Sequence, residues 1–258
     1  MKTDIFIFAH QDDEIAIFKS IKNSVKSDNN TLIFYLTNGN NSKTDNLDLV
    51  LKRENESKNV LAQLGVNPQN IFFLGHNLDI KSYNILNYLD IIYEKLKNII
   101  NSFNDEVIIY THAWEGGNID HDACFILAIK LIRNNSKIIA GYQFPFYNSY
   151  RMPIHFYRVF CPIKQNGNAV NLKISNSDKI HFIKYLFYYP TQIKIWIGLY
   201  PFIIFKILFN KFNYLQKIDK EHQLKKPHEG SLWYEKQKFI KFEKIILLFN
   251  SFLKKKFI

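Results

Sequence analysis

Short, almost continuously apolar runs recur along the first half of the chain, at residues 4–9, 31–37, 71–74, 106–111 and 137–142. Each is rich in β-branched and aromatic residues and is closed by polar or glycine positions, as expected of strands covered on both faces. Between them lie longer stretches whose apolar residues recur at helical spacing, over 14–25, 47–64, 83–100 and 121–132. Gly65, directly after Leu64, reads as a helix stop. Strand and helix in alternation predict an α/β fold, a Rossmann-like and mostly parallel sheet with helices on both faces.

After Tyr142 the pattern is less regular, with strands predicted over 156–161 and 169–174. The stretch KYLFYYPTQIKIWIGLYPFIIFKILFNKF, from Lys184 onward, is unusually aromatic. Pro190, Lys194, Pro201 and Lys206 interrupt it, and no run reaches the roughly 20 apolar residues that a bilayer crossing needs. The organisation expected is an α/β domain over residues 1–175 and a helical, aromatic-rich C-terminal extension over 176–258 packed on the same domain. Core helices are the first reading of that extension. Peripheral contact with a membrane surface is the second, and the terminal FLKKKFI suits anionic lipid.

Composition narrows the function classes. Apolar residues at 47% and charged residues at 22% are the balance of a folded chain rather than a disordered one. The apolar residues 5–9 are too few for a secretory signal and are followed at once by Asp12, Asp13 and Glu14, so a cytoplasmic protein is expected. Cys124 and Cys161 are far apart and read as packing residues. The formal charge of +11 favours anionic partners such as a phosphate-bearing sugar or a membrane surface. Nucleic acid is not expected, because no basic helix with interleaved aromatics resembles a recognition module.

Ligands of such sheets bind beyond the carboxyl ends of the strands. His10, Gly39 and His112 each follow a predicted strand, so HQDDE, TNGNN and THAWEGGNIDHDA are aimed at one crevice. The first of these crowds a histidine and three carboxylates where a helix should begin. A helix N-terminus favours negative charge, and a metal cation is a second way to offset it. With the helix starting just after His10, His10 and Asp13 share a face while Asp12 is rotated away by about 100°. His10 and Asp13 are then candidate ligands, and Asp12 is free to act on a water. In the second segment Asp120 is the expected N-cap, and His121 opens a helix facing the same crevice. Two histidines and one carboxylate leave coordination positions open, as a catalytic Zn²⁺ site requires, although the same set also suits Fe²⁺. Zinc brings the pKa of bound water to about 7, which suits attack of hydroxide on a carbonyl. Either segment alone is equally explained by helix-terminus carboxylates or a core histidine; the two together favour the metal.

The segment AHQDDE resembles the AHPDDE signature of the PIG-L/LmbE-like N-acetylglucosamine deacetylases, and THAWEGGNIDHDA resembles that family's THxxEGGHPDHxA motif. FYLTNGN and RENESKNVLAQLG, between them, are also similar, the latter in its Arg, Ala and Leu-Gly positions. The likeness runs in order over residues 3–135. It implies an LmbE-like fold and a zinc-dependent hydrolase that removes the acetyl group of a GlcNAc-like amino sugar, whether glycan, nucleotide sugar or lipid-linked. It further implies His10, Asp13 and His121 as metal ligands, Asp12 as general base and Arg53 near the substrate. Asp79 lies near an acidic family position and is a second substrate-binding candidate.

Two positions depart from the family pattern. Gln11 replaces the usual proline, which alters loop stiffness. Asn118 stands where the family has a histidine that stabilises the tetrahedral intermediate or protonates the leaving amine; asparagine can donate a hydrogen bond to an oxyanion but supplies no proton. His112 is a substitute donor, and protonated Asp12 is another. The rival from another class is a non-catalytic glycan-binding or membrane-associated relative, motivated by Asn118 and the aromatic extension. An iron(II) oxygenase shares the ligand set but not the parallel α/β pattern.

Overall fold

The computed structural model describes residues 2–41, 45–153 and 156–256. Strands β1 (Lys2–Phe8), β2 (Asn30–Tyr35), β3 (Ile71–Phe73), β4 (Glu106–His112) and β5 (Ile138–Phe144) form at the apolar runs. They pair in parallel in the order β3-β2-β1-β4-β5. The strand order therefore reverses at β1, and the crevice beyond β1 and β4 is the switch point at which such sheets take ligands. A two-stranded ribbon follows, β6 (Tyr147–Asn148) with β7 (Arg158–Val159). Strands β8 (Ala169–Lys173) and β9 (Phe212–Lys217) then extend the main sheet, β9 lying antiparallel between β5 and β8.

The helices are α1 (Phe18–Lys26), α2 (Leu47–Gln63), α3 (Leu74–Asn77), α4 (Leu89–Ser102), α5 (Ile119–Asn134), α6 (Asn176–Leu186), α7 (Ile193–Trp196), α8 (Tyr200–Phe209), α9 (Trp233–Lys236) and α10 (Phe242–Lys254). Alternate residues of β1 serve opposite cores, because successive side chains of a strand point to opposite faces. Ile5 and Ile7 join a core built with α4, α5 and α10, whereas Phe6 and Phe8 join one built with α1, α2, α6 and α8. Full burial of each such side chain stabilises the fold by about 1.5–3 kcal/mol.

Several expectations are corrected by tertiary contacts. The segment 176–258 is not all helical, since Phe212–Lys217 is a strand that joins β5 and β8 in the main sheet. The strand expected over 156–161 shortens to the two residues of β7. The helix expected over 14–25 opens as a 3-10 turn, Asp13–Ile17, before α1 begins. In the basic tail Lys255 pairs with Asp90, and Phe249 and Phe252 are buried against the α5 side of the sheet. Phe257 and Ile258, which end FLKKKFI, lie outside the described residues.

Charge holds α6 against α1. The buried carboxylate of Asp178 accepts from Lys22 Nζ at 2.6 Å and Lys19 Nζ at 2.9 Å. Burial opposes its ionisation, but the two lysines and Ser175 hold its pKa well below the usual carboxylate range. Asp178→Asn is expected to lower stability by about 1–3 kcal/mol at neutral pH. Since the folded pKa is depressed, this contribution is complete above the unfolded value of about 3.9 and is lost as pH falls through the folded one. Urea denaturation of both proteins at neutral and acid pH checks this; a stability gap that fails to narrow in acid would assign the loss to something other than charge.

Candidate metal centre

The segments that follow β1, β2 and β4 leave the sheet at one edge, because Phe8 pairs with Tyr35 and Ile7 with Thr111. After β1 the chain turns sharply: His10 N–H donates to Asp13 Oδ2 at 2.6 Å, and Asp13 N–H to His10 O at 3.3 Å. The turn holds Asp12 at a φ of 146°, which L-residues rarely adopt and which costs about 1–3 kcal/mol. Neighbouring contacts offset that cost. Asp12 N–H donates to Glu14 Oε2 at 3.1 Å, and Tyr189 O–H donates to Glu14 Oε1 at 2.6 Å. Glu14 thus builds the turn instead of facing the crevice, and burial raises its pKa.

His10, Asp13 and His121 each offer one donor atom, all within 4.8 Å of one another. His10 Nδ1 lies 3.6 Å from Asp13 Oδ2, and His121 Nε2 lies 3.2 Å from Asp13 Oδ1. His121 comes from the first turn of α5, whose N-cap is Asn118 rather than Asp120: Asn118 Oδ1 accepts from Asp120 N–H at 2.8 Å. The Asp120 carboxylate is consequently free to serve the site. Its Oδ2 lies 3.1 Å from His10 Nε2, while its Oδ1 accepts from Ile85 N–H at 3.2 Å. A carboxylate on the far ring nitrogen fixes the tautomer and leaves Nδ1 of His10 turned to Asp13.

The protonation pattern fits a divalent cation, which needs an ionised carboxylate and neutral imidazoles. Burial resists charge on Asp13, but His112, His121 and His10 together hold its pKa well below the usual range. Burial, with the neighbouring His112, pushes His121 down to about 3. His10 is the exception in the metal-free protein: burial opposes its charge, yet Asp120 and Asp13 raise its pKa to about 10. Its Nδ1 is thus the position where a cation would compete with a proton.

The cleft above this centre is lined by Asp12, Arg53, Tyr83, Asn118, Tyr147 and Trp196 beside the three donors. Arg53 ties two segments together, donating from Nη1 to Gly39 O at 2.7 Å and from Nη2 to Gln11 O at 3.1 Å. Its Nη2 also lies 3.7 Å from Asp12 Oδ1. Burial raises the Asp12 pKa to about 8, with Arg53 opposing. Two glycines are required by close approach. A Cβ on Gly39, whose φ is +74°, would meet Gln11 Oε1 at 2.4 Å, and one on Gly117 would meet Tyr147 O at 1.9 Å.

Two of the residues singled out from the motifs lie elsewhere. His112 is fully buried, stacked on His121 with ring centroids 3.8 Å apart, and its Nε2 lies 3.0 Å from Asp13 Oδ2. Asp79 is exposed, accepts from Asn38 Nδ2 at 3.1 Å and does not line the cleft. Asp120, Tyr83, Tyr147 and Trp196 belong to the site without having been expected there. Only Asp120 carried a signal, as a carboxylate adjoining a candidate histidine ligand.

Residues 5–132 match the family model described as PIG-L: GlcNAc-PI de-N-acetylase. No curated protein matches the chain. Among solved structures, the zinc inhibited form of teicoplanin deacetylase Orf2 aligns with a TM-score of 0.61 at 14% identity, over 83% of this chain and 97% of that one. The A40926 pseudoaglycone deacetylase Dbv21 aligns at 0.60 and 14% identity, over 85% of this chain and 98% of its own. N,N'-diacetylchitobiose deacetylase from Pyrococcus horikoshii aligns at 0.60 and 15% identity, over 84% and 83%. At such identities the structures establish a shared fold. The residues that match the PIG-L family include every candidate ligand.

Proposed function

We propose that the protein is a metal-dependent N-deacetylase that hydrolyses the acetamide of a GlcNAc-like amino sugar. The observation that carries this is the convergence of His10, Asp13 and His121 beside a carboxylate, Asp12, that is outside the donor set and faces the same cleft. A divalent cation held by the three donors, Zn²⁺ in this proposal and Fe²⁺ compatible with the same set, supplies Lewis acidity and acidifies water.

The chain's own residues do the rest. Asp12 takes a proton from the attacking water. The water oxygen bonds to the acetamide carbon, the carbon–nitrogen bond breaks, and Asp12 returns its proton to the departing amine, leaving acetate and a free amino sugar. Asn118, whose Oδ1 is engaged by Asp120 N–H and whose side chain also meets Tyr147, directs an amide N–H to the carbonyl oxygen as negative charge develops. His112 acts as a positioning residue for Asp13 rather than as a proton donor, and Asp79 anchors the Asn38 loop. Arg53 aligns Asp12, and the rings of Tyr83, Tyr147 and Trp196 offer apolar faces to a sugar. The charge of +11 favours a substrate bearing phosphate.

Acetate release from a panel of N-acetylated free, nucleotide-linked and lipid-linked sugars tests the proposal. Release is expected to stop on chelation and to return with about one equivalent of Zn²⁺. Sugar binding without acetate release in metal-loaded protein would instead make this a non-catalytic relative, the outcome that Asn118 favours.

A further inference from the structure

Gln192, Trp196 and Leu199 form part of the cleft wall, and the outer side of the segment they belong to, residues 187–209, exposes many apolar side chains. Trp196 and Leu199 line the cleft, while Ile193 and Ile197, on the other side of the same turns, face outward, Ile197 being 75% exposed. In α8 only Ile203 and Ile207 are buried. At about 100° per residue, Phe202, Phe205, Leu208 and Phe209 fall on the opposite face of that helix, and all four are exposed, Phe205 at 58% and Phe209 at 68%. Exposed apolar surface this contiguous marks an interaction site.

The charge around it says what kind. The segment that carries the face, residues 187–211, contains Lys194, Lys206 and Lys211 and no aspartate or glutamate, and Lys179 reaches it by donating from Nζ to Leu208 O at 2.7 Å. Two copies of the chain meeting through this face would bring like charges together, whereas an anionic surface is complementary to it. Among the described residues no helix is long and apolar enough to cross a membrane. Aromatic and aliphatic side chains fringed by lysine suit the boundary between headgroups and acyl chains.

We propose that the outer face of residues 193–209 docks on an anionic lipid bilayer, so that the cleft opens at the lipid–water boundary. The outer face is coupled to the site through its near side. Thr191 donates from N–H and Oγ1 to Glu56 at 2.9 and 2.5 Å, Tyr189 holds Glu14, and Gln192, with its amide oxygen turned to Arg53, accepts from Nε at 3.0 Å.

Co-sedimentation with vesicles of phosphatidylcholine alone and of phosphatidylcholine with phosphatidylglycerol tests the docking. The wild type is expected to bind the anionic vesicles and to weaken as salt rises. Phe205→Glu with Phe209→Glu is expected to lower the partition coefficient by about tenfold or more, with the melting curve and the turnover of a soluble acetylated sugar unchanged. Binding unaffected by the double variant, equal binding to neutral vesicles, or none to anionic ones overturns the proposal. So does a concentration-dependent dimer that the double variant dissolves, since the face would then join two copies. Docking rests on surface contacts and deacetylation on the cleft, so a wild type that turns over a soluble acetylated sugar but does not bind anionic vesicles refutes docking alone, and a wild type that binds them but releases no acetate refutes only the proposed chemistry.

Discussion

Asp12→Asn is expected to lower acetate release by about 10²- to 10⁴-fold while metal content stays unchanged. Asparagine occupies the same volume and tolerates positive φ better than most residues, so the turn that holds position 12 at 146° persists. The donor set of His10, Asp13 and His121 excludes this side chain. What is lost is the capacity to accept a proton. Arg53, 3.7 Å away, keeps a polar partner of the same shape. The loss should fall on kcat, with KM for the sugar little altered, because Asp12 acts as the proton moves rather than when the sugar binds. Undiminished turnover by this variant, with metal content confirmed, would remove Asp12 from the mechanism.

Asp13→Ala is expected to abolish both metal binding and activity and to destabilise the metal-free protein by about 3–5 kcal/mol. Three histidines converge on its carboxylate. Its Oδ2 accepts from His10 N–H at 2.6 Å and lies 3.0 Å from His112 Nε2, while its Oδ1 lies 3.2 Å from His121 Nε2. Removing it leaves three buried imidazoles around a vacated anion position, with His10 retaining only Asp120. Asp13→Asn keeps the shape and should retain more stability while still losing the metal, which separates a folding defect from a coordination defect. Metal titration of the two variants, with urea denaturation of the metal-free forms, checks both parts. Wild-type metal affinity in either would exclude Asp13 as a ligand.

Much of the sheet and its first two motifs is legible along the chain for one reason. Strands buried on both faces must be apolar throughout, so residues 4–9 and 106–111 stand out against their surroundings, and whatever follows them lies at the carboxyl edge. The same reasoning fails where neighbours rather than local pattern choose the conformation. The sequence FNYLQK closes a long apolar stretch and shows no break that separates it from a helix; it is a strand because β5 and β8 each offer it an edge. Asp120 looks like a cap when only local spacing is considered. Asn118, extended at φ −140° and ψ 139°, takes that role, and Asp120 turns to His10, 110 positions away in the chain. His112 was aimed correctly at the sheet edge, but stacking on His121 turns it toward Asp13 and away from the cleft.

The sequence by itself determined the parallel α/β core and aimed the candidate donors at one crevice, because both follow from short-range rules: apolar runs make strands, and strand ends carry loops to one edge. Only the tertiary structure decided what faces those residues. Tyr189 meets Glu14 across 175 positions and Thr191 meets Glu56 across 135, and contacts so distant leave no periodic trace. The aromatic segment becomes a wall of the site, with an apolar outer surface, through packing against elements laid down at the other end of the chain.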